Sequence, residues 1–199
     1  MSSKITASDV KNLREKTGAG MMEAKSALSE AGGDTDRALD ILRKKGQLRA
    51  GRKTARAVGQ GIIDAYIHGL GRIGVILEVN CETDFVARSA EFKNLVHDIA
   101  LHVAASSPLY VSRQEVPSEV VEKEKEIYAE AAKSEGKSGE ITKKIVEGRV
   151  EKYYQEVCLL EQPFVKDQDI NIQELVNQKI AIIGENIKIR RFTRYVLGE

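Results

Sequence analysis

Over the first 46 residues the apolar positions fall at helical spacing and predict three short helices. Thr6 or Ser8 can cap the first, which places Val10, Leu13 and Thr17 on one face, and Gly18 and Gly20 break it. Met21, Ala24, Ala27, Leu28 and Ala31 form a second stripe, stopped by Gly32 and Gly33. One of the neighbouring methionines, Met21 or Met22, is expected to face this core, because adjacent helical positions point about 100° apart. Asp34 caps a third helix with Ala38, Ile41, Leu42 and Lys45 on one face. Lys44 and Lys45 suit its negative C-terminal end, and Gly46 is expected to end it. About 46 residues is near the lower limit for a self-sufficient core, a size that suits a docking unit better than a catalytic domain.

The period then changes. Residues 61–68 and 72–80 are rich in β-branched side chains and joined by Gly69-Leu70-Gly71, the signature of a β-hairpin. Residues 89–105 return to helical spacing, with Phe92, Leu95, Val96, Ile99 and Val103 on one face. Pro117 and Ser118 open a long charged helix to about Ser134, residues 136–139 turn the chain, and a second helix runs from about Glu140 to Val157. These two form an antiparallel hairpin at about 117–158 whose charged segments read as solvated, so it is expected to protrude. A short helix near 172–182 and a last strand at 186–196 complete the chain, the strand pairing with the first hairpin. The fold class is therefore α+β: three N-terminal helices over 1–46, a basic linker over 47–60, and a core over 61–199 with a small antiparallel sheet and the helical hairpin.

Charge sharpens this division. Residues 1–56 carry 13 Lys/Arg against 7 Asp/Glu, a net +6, and the remainder 18 against 23, a net −5. Residues 43–56 hold seven basic and no acidic side chains. An RNA-binding module built on that stretch is the alternative reading, through phosphate contacts. Against it, the first aromatic residue is Tyr66, so the basic region has no stacking platform, and the whole-chain pI is only 7.7. No apolar run approaches the roughly 20 residues of a membrane helix, and the N-terminus lacks a signal-peptide core. Cys81 and Cys158 are far apart and read as reduced, buried thiols, so a cytoplasmic protein without membrane attachment is expected.

Catalytic and ligand motifs fail on context. GLGRIG (69–74) has the glycine spacing of a dinucleotide loop, but a strand follows where the pyrophosphate needs a helix. GAGMMEAKS (18–26) ends like a phosphate loop but has Ala19 and Ala24 where glycines are required. His97 and His102 are five residues apart and point about 140° away from each other on a helix, too far for one metal ion. No cofactor, no metal and no enzymatic chemistry are expected.

One stretch is left over, NCETDFVARS (80–89), which places Asp84 beside Phe85 in the connection between a strand and a helix. Phe85 can fold under as a hydrophobic staple for the next helix. Alternatively it is an exposed apolar and acidic tip that inserts into a partner. Wider stretches settle the choice: TGAGMMEAK (17–25), ALDILRKKG (38–46), VNCETDFVA (79–87), HVAAS (102–106), QPFV (162–165) and GENIKIRRF (184–192). In this order, and nearly end to end, the chain resembles the bacterial translation elongation factor Ts family.

The resemblance implies a guanine nucleotide exchange factor for the GTPase elongation factor Tu, which carries aminoacyl-tRNA to the ribosome. It implies a ubiquitin-associated-like fold for the three-helix module. It implies that Thr83, Asp84, Phe85 and Val86 enter the GTPase near its magnesium and phosphate site, and that Arg14, Met21, Met22 and, more weakly, His102 stand at docking positions. Longer members duplicate the sheet-bearing core. The single set of motifs here resembles the short form, which implies a homodimer, a 2:2 complex with the GTPase, and no direct contact with nucleic acid.

Overall fold

A computed structural model describes residues 5–199, with the side chain of Arg49 outside the description. The first four residues of the predicted 1–46 module, and the Arg49 side chain counted in the basic run, therefore lie outside the described residues. The chain is mixed helix and sheet, and its contacts divide it into two compact units. One comprises residues up to Gly61 with Asn80–Phe92 and Val176–Lys188. The other comprises Ile62–Val79, Lys93–Leu175 and Ile189–Glu199.

The first unit opens with α1 (Ala7–Thr17), α2 (Met21–Glu30) and α3 (Thr35–Lys53). Thr6 caps α1 in a reciprocal box with Asp9, whose carboxyl is held below its usual range by the backbone and side-chain hydrogen bonds from Thr6. Asp34 caps α3 by accepting from the backbone N–H groups of Asp36 and Arg37, both at 3.0 Å. Val10, Leu13, Ala24, Ala27, Leu28, Ala31 and Ala38 form the buried core of this module. Its small side chains let the helices approach closely. Gly18 ends α1 with φ +65°, a backbone that favours glycine, and a Cβ there would lie 2.7 Å from Ile182 Cδ1 and push that side chain aside.

Two expectations fail in this unit. Gly46 does not end α3, which runs on for a further seven residues to Lys53. The cost of an interior glycine, about 1 kcal/mol, is offset by tertiary contact further along the helix: Ala50 is fully buried, and Lys53 donates to the Gly184 carbonyl. Neither methionine faces the core either. Met21 and Met22 are 50% and 75% exposed, because the first turn of α2 lies beyond the stripe from Ala24 to Ala31.

The second unit carries a three-stranded antiparallel sheet in the order β1–β2–β5, from β1 (Gln60–His68), β2 (Ile73–Cys81) and β5 (Ile187–Val196). Gly69, Leu70 and Gly71 all take left-handed backbone angles to make the β1–β2 turn. Val75, Leu77 and Val79 point inward from β2. The helix α5 (Ala90–Ser106) meets this sheet through an edge contact of His97 with Tyr66 and through the Ala104 carbonyl, which accepts from Arg194. On the opposite face Ile63, Ile67 and Ile76 are exposed. In β5 burial alternates until Arg190 and Arg191, both exposed, where it slips by one residue. Arg191 then bonds Glu78 on that opposite face, and Tyr195 projects with it.

The long helices α6 (Ser118–Ser134) and α7 (Glu140–Val157) begin and end where the pattern predicts. They pack on each other around Val116, Val121, Val150, Val157 and Cys158. Arg113 joins their base to the next segment, donating to both Glu151 and Glu161 while its guanidinium lies 4.5 Å over the Tyr154 ring. A short pair unforeseen from the sequence, β3 (Pro163–Phe164) with β4 (Asp167–Asn171), precedes α8 (Ile172–Ile183). Both cysteines are free and buried, and burial pushes their thiols up, Cys158 to about 11, so neither supplies a thiolate near neutrality. Among the described residues no helix is long and apolar enough to cross a membrane.

Candidate functional site

The sequence NCETDFVARS folds as a strand end, a cap and one short helix. Cys81, the last residue of β2, donates its thiol hydrogen to the Thr83 carbonyl at 3.2 Å. Thr83 is extended and caps α4 (Asp84–Arg88), its Oγ1 accepting from the Val86 N–H at 3.3 Å. Ser89 ends α4 and at once starts α5. Its hydroxyl donates to the Val86 carbonyl at 2.8 Å and accepts from the Phe92 N–H at 3.2 Å.

This frame decides where each side chain goes. Val86 and Ala87 are buried and pin the short helix. Phe85, about 100° around from Val86, is 81% exposed. It is not a staple. Leaving such a ring in water forgoes roughly 1.5–3 kcal/mol of burial, which becomes available to whatever covers it. Asp84 is also exposed and accepts from Arg88 Nη2 at 2.7 Å. An exposed i,i+4 pair is worth little and opens readily to a competing cation.

Of the residues expected at a partner surface, Thr83, Asp84 and Phe85 are exposed together on this tip, and Val86 anchors it from below. Arg14 on α1 is exposed, as are Met21 and Met22, and all three belong to the same compact unit as the tip. His102 belongs to the other unit and is fully buried. Its Nδ1 accepts from the Val165 N–H at 3.2 Å, so Nε2 carries the proton and donates to Gln162 Oε1 at 3.0 Å. Gln162 Nε2 in turn donates to the carbonyls of Glu156 and Ser106. With every hydrogen-bonding position used and no atom at the surface, His102 offers a partner nothing directly in this conformation. What it holds is the segment around Val165.

Burial lowers the His102 pKa below its ordinary 6.5, with the hydrogen bond to Gln162 opposing. The unfolded chain therefore takes up a proton that the folded one resists, and stability is lost as pH falls below 6.5 towards the folded value. A His102→Asn variant is expected to lose less of its urea midpoint than the parent between about pH 7.5 and 5.5. An equal loss in both proteins would show that His102 does not titrate across folding.

Sequence reasoning assigned no role to Glu185, although it lies inside the GENIKIRRF stretch. Its carboxylate accepts from the N–H of Glu82 at 3.2 Å, from the N–H of Thr83 at 3.0 Å and from the Thr83 hydroxyl at 2.7 Å. The two segments are about a hundred residues apart in the chain, so only the fold reveals this contact. Among the described residues no cluster of His, Cys, Asp and Glu could hold a metal ion.

Residues 36–199 match the family model described as elongation factor TS. The chain is 59% identical to elongation factor Ts of Acetivibrio thermocellus, an alignment covering 98% of this chain and 91% of that protein. Elongation factor Ts of Moorella thermoacetica is 56% identical over 98% of this chain and 96% of its own length. That of Alkaliphilus oremlandii is 58% identical, with 98% and 90% covered. The chain is thus a translation elongation factor. Within that class it belongs to the elongation factor Ts family.

Proposed function

We propose that this protein is the guanine nucleotide exchange factor of the GTPase elongation factor Tu, acting in the cytoplasm. The observation that carries the reading is the exposed Phe85 ring beside Asp84, held on a helix that Val86 and Ala87 anchor. The three-helix module docks on the GTPase through Arg14, Met21 and Met22. The tip then enters near the bound magnesium ion and the phosphates. GDP in such a site is held by phosphate-loop contacts and by the metal bridging its oxygens, so a wedge there weakens the nucleotide. By linkage GDP weakens the factor equally, which makes exchange a competition between two ligands. The chain forms and breaks no covalent bond.

Two copies joined through the exposed apolar side chains of Ile63, Ile67, Ile76 and Tyr195 on one sheet face would give the homodimer and the 2:2 complex. Direct RNA binding has less to support it. Of the basic run, Lys45 is paired with Glu30, Lys53 donates to the Gly184 carbonyl and Arg56 pairs with Glu82. Adding the protein to the GTPase loaded with fluorescent GDP is expected to accelerate release of the nucleotide. Release at the intrinsic rate with the factor in large excess would refute the reading.

A further inference from the structure

We infer that Glu185 and Asn186 are positioning residues that hold the Phe85 tip in register with the end of α3. The inference rests on the exchange function proposed above. Residues 184–186 meet two other segments of the same unit at once. Towards the tip the contact is reciprocal: Glu185 accepts from the backbone N–H groups of Glu82 and Thr83, and Glu82 accepts from the backbone N–H of Asn186 at 2.6 Å. Glu185 also accepts a hydrogen bond from the Thr83 hydroxyl at 2.7 Å, which turns Thr83 Oγ1 to receive the Val86 N–H and so start α4. Towards α3, the Asn186 side-chain amide donates to the carbonyls of Thr54 at 3.3 Å and Arg56 at 2.8 Å, and the Gly184 carbonyl accepts from Lys53. Arg56 closes the circuit on Glu82 at 3.5 Å.

Asn186 is buried, and its side chain is spent on two backbone carbonyls, that of Thr54 at the C-cap of α3 and that of Arg56 two residues beyond. The Glu185 carboxylate likewise satisfies backbone N–H groups beyond the end of β2. These are hydrogen bonds to a charged group, the stronger kind, and they fix backbone rather than side chain. Docking of the three-helix module therefore sets the direction in which Phe85 points. A tip cut loose from this clasp still carries its ring, but enters the nucleotide site in many orientations. A preorganised contact loses about an order of magnitude or more in rate when it is misplaced by an ångström or so.

The test is GDP release from the GTPase, with the full chain in each variant. Glu185→Ala is expected to lower the saturating release rate about tenfold while the concentration for half effect shifts less than about threefold. Glu185→Gln restores most of the rate, since its amide oxygen can still accept the two backbone N–H groups. The double variant Phe85→Ala/Glu185→Ala is expected to be no slower than Phe85→Ala alone, because both act through the same ring. A Glu185→Ala protein as fast as the parent beside a slow Phe85→Ala, or rate losses that multiply in the double variant, would overturn the inference and leave the exchange reading standing. A Phe85→Ala protein at the parent rate would instead remove the insertion reading on which this rests. Should Glu185→Ala fail to fold, Thr83→Val serves, removing the hydroxyl that links Glu185 to the Val86 N–H. It is expected to slow release at unchanged half-effect concentration, and parent-like release by a folded Thr83→Val would overturn the inference.

Discussion

With Phe85 replaced by alanine, GDP release from the GTPase at saturating factor is expected to slow by roughly ten- to a hundredfold. That range is the kinetic equivalent of about 1.5–3 kcal/mol, the worth of burying one benzyl side chain. The ring is exposed in the free protein, so its removal is expected to leave the unfolding free energy within about 0.5 kcal/mol of the parent. Stopped-flow release of a fluorescent nucleotide and a urea melt, run on one preparation, separate the two effects. Slow release with an unchanged melt is the outcome that insertion requires. Loss of both together would mean that Phe85 supports the fold, and loss of neither would mean that the tip is idle.

Assembly is expected to fail as abruptly when lysine replaces Ile76. Ile63 and Ile67 of β1, Ile76 of β2 and Tyr195 of β5 leave exposed apolar side chains on one sheet face, beside the Glu78–Arg191 pair, and a Cβ on Gly74 would touch Ile67 Cδ1 at 3.5 Å on that same face. Soluble monomers seldom expose contiguous apolar patches larger than a few hundred Å². In a two-fold dimer a substitution meets its own copy or the same opposing patch twice. An uncompensated charge buried there costs about 3 kcal/mol or more, at least a hundredfold in Kd. Sedimentation should then report a monomer, and a 1:1 complex with the GTPase in place of 2:2. A variant that keeps the dimer mass would exclude this face. A parent protein that sediments as a monomer would exclude the dimer itself.

Local chemistry made most of the fold legible. Thr6 with Asp9, Asp34, the Gly69–Gly71 turn and Pro117-Ser118 are short-range signals, and the elements they bound lie where the pattern places them. Misreadings arose where a distant residue decided the outcome. Gly46 carries a helix-ending propensity that the burial of Ala50 and the bond from Lys53 to the distant Gly184 carbonyl override, and the sequence around Gly46 does not report them. The β3–β4 pair is too short for an alternating pattern to register. At the site, the residues of the tip were readable as a motif, but their exposure was not. A staple and a projecting ring have the same sequence, and the difference lies in Val86 and Ala87 taking the buried side. Glu185 was silent because a surface glutamate before an asparagine signals nothing until the fold sets it against Thr83. His102 presents the converse case. A histidine on a helix reads equally as contact or core, and only its filled hydrogen-bond positions assign it to the interior.

The continuation of α3 to Lys53 also changes the physics of encounter. Had residues 47–53 been a random coil, the three-helix module would diffuse as a bead on a string, and its local concentration would follow polymer statistics. A 19-residue helix is instead a strut about 28 Å long. Within the first unit, which holds both the module and the Phe85 tip, orientational freedom is then surrendered when the chain folds, so on the proposed exchange reading less entropy opposes capture of the GTPase.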